Sequence, residues 1–228
     1  MILDAFKFTN DLFTKHFAKF LFIVFPVYVI IIFVYLLMSS VPGNEFGNAN
    51  TFTYQEIIIQ LLTVYSLILS ILLIDDICKE RKRSIANYFY LSAYLFIKIV
   101  VIYLITSFAV ILGLLALILP GLYVSARLFF APYLAVIFNE GIIDSLSKSF
   151  ELTQDKGWTI LGYLLAVTIP LLFIMILLLV GPAIVLVEEN MNAYMTITYC
   201  VTFFFMVYIT IYGYRLLNNF METSDETI

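Results

Sequence analysis

Few residues in this 228-residue chain carry side chains suited to chemistry, and they stand against an apolar background. Arg127 is the sharpest. It follows Leu119-Pro120-Gly121-Leu122-Tyr123-Val124-Ser125-Ala126 and precedes another apolar run. An arginine within a membrane helix costs about 2.5–3.5 kcal/mol on insertion scales and faces a partner or a cavity. Three readings fit it. Arg127 is a structural pin on loop carbonyls or on a carboxylate such as Glu56, Glu188 or Glu189. It is a fork for a lipid phosphate, whose paired oxygens suit guanidinium geometry. Or its stem carries the charge out to the headgroups.

The other candidates read more plainly. Asp75-Asp76 has the composition of a paired-carboxylate acid–base site, but adjacent acids at a helix end are expected to be solvated. Lys79, Arg81, Lys82 and Arg83 form a topology signal that also meets anionic lipid. Gln60, Thr63, Ser66 and Ser70 recur at three and four residues, the spacing of one helix face that glues helices together more readily than it conducts. His16 is the single histidine, so a zinc site has nothing to build from. No nucleophile elbow, P-loop or zinc-ligand spacing occurs, and no basic stripe suits nucleic acid. The expectation is a protein with no catalytic residue, cofactor or metal, whose partners are membrane phospholipids and whose oligomeric state stays open.

What positions these residues follows from composition. The chain is 63% hydrophobic and 12% charged, with mean hydropathy +1.05, against about 25% charged for a soluble domain. Lipid must be the solvent, and lipid leaves only helices or closed barrels. The apolar runs are continuous over about 18 residues or more, the length of a spanning helix, so the fold class is an all-α membrane protein. The first run, near Phe20–Met38, is long for a signal peptide and lacks a small-residue cleavage pattern, so it reads as a retained helix.

Six spans are expected, in three hairpins. Residues 1–17 form an interfacial amphipathic helix, with Ile2, Leu3, Phe6, Phe13 and Phe17 opposite Asp4, Asp11 and Lys15. Residues 18–217 hold the spans, near 18–38, 56–74, 94–119, 122–138, 158–180 and 194–217. Residues 84–93 read as a separate aromatic interfacial piece. Residues 142–155 read as an amphipathic strap with Ile142, Leu146 and Phe150 on its apolar face and Asp144, Lys148, Glu151 and Asp155 on its polar face. Residues 218–228 read as a disordered polar tail. Outer turns are expected at Pro42-Gly43, Pro120-Gly121 and Gly181-Pro182, a spacing in keeping with a threefold repeat of hairpins or with any chain of hairpins. Cys78 and Cys200, at depths about 20 Å apart, are expected to be free.

Of twelve Lys and Arg, eleven map to the side that carries both termini, leaving Arg127 as the exception. By the positive-inside rule that side is cytoplasmic.

The stretch Leu119–Arg127, then Phe130-Ala131-Pro132, Gly141, Ser145, Ser149-Phe150-Glu151-Leu152-Thr153 and Trp158, resembles the YciC-type bacterial inner-membrane proteins and the related membrane domain of some glycerophosphodiester phosphodiesterases. The resemblance is specific over about residues 118–162. It implies a six-helix protein of the bacterial inner membrane with a part in envelope or lipid homeostasis and no established reaction. A small-solute or lipid transporter is the alternative.

Overall fold

The computed structural model describes residues 2–39, 49–154 and 156–225, which are mostly helical and contain no strands. Nine helices follow in order among the described residues: α1 (Ile2–Ile23), α2 (Phe25–Ser39), α3 (Ala49–Cys78), α4 (Ile85–Ala116), α5 (Ile118–Leu128), α6 (Ala131–Ile137), α7 (Ile142–Leu152), α8 (Gly157–Glu189) and α9 (Met191–Asp225). Five segments are long and apolar enough to cross a membrane: Tyr54–Cys78, Ile85–Leu115, Ile118–Ile137, Gly157–Ile184 and Met191–Glu222. The bent pair α1–α2 supplies a sixth when it is counted as one span. The chain is an all-α, multi-pass membrane protein.

α3 is the centre of the bundle. Ile68, Leu69 and Ile71–Ile74 are buried all round, as a helix surrounded by others must be. α1 and α2 run antiparallel along α9 through aromatic pairs: Phe6–Tyr212 at 5.4 Å, Phe17–Phe204 at 5.9 Å, Tyr28–Phe203 at 5.3 Å and Tyr35–Tyr199 at 5.7 Å between ring centroids. A 50° bend separates α1 from α2. Pro26 lies in the first turn of α2, where its missing N–H costs no hydrogen bond.

Several boundaries differ from expectation, each for a local reason. The chain reverses at Leu117, which is extended (φ −169°, ψ 154°), and not at Pro120-Gly121. Pro120 is the third residue of α5, a position that has no intrahelical N–H bond to lose. Gly121 is there for proximity: a Cβ added to Gly113 would fall 2.8 Å from the Gly121 Cα, so two glycines let α4 and α5 touch backbone to backbone. Gly181-Pro182 also makes no turn, because α8 runs straight through it. Neighbouring structure in a bilayer tolerates such an internal proline. The reversal comes at Asn190, whose side-chain oxygen accepts from the Ala193 N–H at 3.1 Å and caps α9. Of the three expected turns, Pro120-Gly121 thus lies in the first turn of α5, three residues past the reversal, and Gly181-Pro182 lies inside α8; Pro42-Gly43 lies outside the described residues, as does Asp155.

Residues 84–93 are not a separate piece. Ser84 caps α4, accepting from the Asn87 N–H, and the helix then continues unbroken. The region expected to be a disordered tail is helical through Asp225, with Phe220 buried against Phe130 and Tyr163. In α7 the buried residues are Ser145 and Ser149, while Ile143 is 78% and Phe150 47% exposed. Small hydroxyl side chains allow close packing, so the serine face docks and the larger apolar residues flank it or point outward. Cys78 and Cys200 are free.

Candidate functional site

Arg127 lies in the last turn of α5, and its side chain turns into the protein, leaving the residue 7% exposed. Its Nε donates to Thr153 Oγ1 at 2.9 Å, Nη1 to the Tyr123 hydroxyl at 3.1 Å and Nη2 to the Phe150 carbonyl at 2.6 Å. The guanidinium carbon lies 3.6 Å from the Phe150 ring centroid and 5.6 Å from that of Tyr123, within range for cation–π attraction. α7 answers through the backbone, because Ser149 Oγ donates to the Arg127 carbonyl at 2.8 Å. Gly157, at the start of α8, leaves the needed room. A Cβ there would fall 2.9 Å from Arg127 Cδ and run into the Tyr123 ring.

Three of the five guanidinium N–H groups thus have protein acceptors. Among the described residues Arg127 makes no ion pair; Glu56 is exposed, and the side chains of Glu188 and Glu189 lie outside the described set. Its partners Phe150 and Thr153 fall in sequence between Lys148 and Lys156, two of the eleven basic residues that the charge count groups with the termini.

The second cluster departs from expectation. Asp75 and Asp76 are buried, 3% and 1% exposed, and not solvated. α3 ends in a Schellman-type turn with Glu80 in the left-handed region (φ 51°) and the Arg81 N–H bonded to the Asp76 carbonyl at 2.9 Å. That turn folds the basic run back over the acids. Asp75 takes Lys79 at 2.8 Å, Arg81 and the Tyr214 hydroxyl at 3.0 Å. Asp76 takes Arg81 Nε at 3.1 Å and Arg83 Nη2 at 3.2 Å. Arg83 Nε also stands 2.9 Å from Asp76 Oδ2, an ion-pair contact off the hydrogen-bond line. Two buried carboxylates with three cations are neutralised in place. The available signal was the spacing: Asp75 and Lys79 are four apart on one helix.

A third feature is a cleft of 220 Å³ between α3, α4, α5–α6 and α9, lined by Leu67, Tyr103, Leu128, Pro132, Met206 and Ile209 among others. Its surface is mainly apolar, and the Thr106 hydroxyl on its wall has no hydrogen-bond partner among the described residues. The Thr63, Ser66 and Ser70 hydroxyls instead bond carbonyls of their own helix, Ile59, Thr63 and Ser66. Among the described residues no group of three His, Cys, Asp or Glu side chains is placed to hold a metal ion.

Fold and composition together define a polytopic α-helical membrane protein. The chain is similar to a UPF0259 membrane protein of Wigglesworthia glossinidia brevipalpis, 28% identical over 184 residues, covering 78% of this chain. It spans 61% of the length of that curated relative. The likeness supports an uncharacterised bacterial membrane family. No family model and no solved structure matches the chain.

Proposed function

We propose that this is a non-enzymatic protein of the bacterial inner membrane, with both termini cytoplasmic, that serves envelope or lipid homeostasis by binding phospholipid. The observation that carries the reading is the apolar cleft between α3, α4, α5–α6 and α9, which suits an acyl chain better than a polar solute. The Thr106 hydroxyl offers one donor to a lipid ester carbonyl. Arg127, in this reading, holds α5 to α7, and lipid binds elsewhere. The motif resemblance to YciC-type proteins supports the same assignment. Native mass spectrometry of protein purified in mild detergent tests it. At least one phospholipid per chain should be retained, and Thr106→Trp, which fills the cleft, should lower that occupancy. A wild-type protein that carries no lipid overturns the reading.

A further inference from the structure

Where the apolar part of α3 ends, a cleft of 270 Å³ is lined by Lys19, Ile23, Leu73, Ile77, Arg81, Lys82, Arg83 and Tyr88. Four of these eight are cationic, and they come from two separate parts of the chain. The local charge is unbalanced: Lys19, Lys79, Arg81, Lys82 and Arg83 face Asp75, Asp76 and the exposed Glu80, a surplus of two positive charges. Lys19 and Lys82 are both exposed and make no ion pair among the described residues.

We propose that this cleft is a phosphate-binding site for the headgroup of an anionic phospholipid. Arg81 and Arg83 are already oriented by the buried Asp75 and Asp76, so little side-chain entropy remains to be lost when an anion arrives. Lys19 and Lys82 bring the charge that those carboxylates do not neutralise. Ile23, Leu73 and Ile77 form an apolar wall beside the cations, which fits a ligand that joins a phosphate to a glyceride and fits a free anion less well. The lipid half of this inference rests on the lipid-binding reading above; the phosphate half stands on the cleft alone.

The test is competitive native mass spectrometry of the full chain in detergent, with equimolar phosphatidylglycerol and phosphatidylcholine, alongside calorimetric titration with inorganic phosphate. Phosphatidylglycerol should be retained preferentially, and Lys19→Ala with Lys82→Ala should lower its retention by roughly 30-fold, at about one surface charge's attraction per lysine. Lys7→Ala with Lys15→Ala makes the same charge change away from the cleft lining and should leave the preference in place; gel filtration checks that both variants are folded. Equal retention of the two lipids, or a Lys19/Lys82 variant that behaves as wild type, overturns the headgroup site while leaving lipid binding intact. Phosphate binding without lipid retention keeps the cleft as an anion site and removes the lipid reading. Neither lipid nor phosphate bound overturns both.

Discussion

Arg127 and Phe150 meet twice, once through the Nη2 hydrogen bond to the Phe150 carbonyl at 2.6 Å and once through the guanidinium over the ring at 3.6 Å. A single side chain thereby holds both the backbone and the ring of the last turn of α7. Arg127→Ala leaves the Phe150 carbonyl and the Thr153 hydroxyl without this donor and should lower stability by about 2–4 kcal/mol. Arg127→Lys keeps the charge but loses the fork and should fall between the two. Denaturant midpoints in detergent measure this, and an unchanged midpoint for Arg127→Ala would contradict it.

Asp76→Asn should be destabilising by about 3 kcal/mol, the low end for a broken buried pair, because Arg81 is half exposed and keeps some hydration. Thermal unfolding compared with Glu80→Gln, an exposed acid in the same turn, separates a buried-pair effect from a simple change in charge.

The contact between Gly113 and Gly121 predicts that Gly113→Ala separates α4 from α5 and lowers stability by about 1–3 kcal/mol. Gly162 has nothing within 4 Å of an added Cβ, so Gly162→Ala should be neutral or slightly stabilising. Helix propensity alone favours alanine at both positions, so a Gly113→Ala protein as stable as Gly162→Ala would reject the proximity argument.

The hairpin order places the α3–α4 turn and Asn190 on opposite sides of the bilayer. In a background with Cys78 and Cys200 replaced by alanine, Ser84→Cys and Asn190→Cys, made singly, should react with an impermeant thiol reagent from opposite faces. Reaction from one face alone would reject this order of spans.

Composition and run length were enough to read the class, because an apolar chain in lipid has few folding options. Turn positions were harder. Pro-Gly pairs mark turns in water, yet Pro120 lies in the first turn of a helix and Pro182 sits inside one, so the reversal at Leu117 comes three residues before the pair that pointed to it. Asp75 and Asp76 were legible as a pair but not as buried, since their burial depends on the turn at Glu80 and on Tyr214, 139 residues away. The partners of Arg127 were hidden for the same reason: Tyr123 is one turn back, but Phe150 and Thr153 arrive only when α7 docks by its serine face.

α8 differs from the rest of the bundle in how little of it is covered, with 6% of its apolar window buried. Its 28-residue apolar stretch is about 42 Å long, against a hydrocarbon core of about 30 Å. Such a helix fits by leaning, by kinking at Pro170 or by thickening the bilayer around it, and one gripped along so little of its surface has few packing contacts to fix its tilt. Thinner bilayers should lay α8 further over, and because Gly157 anchors its first turn beside Arg127, the lean pivots at that end.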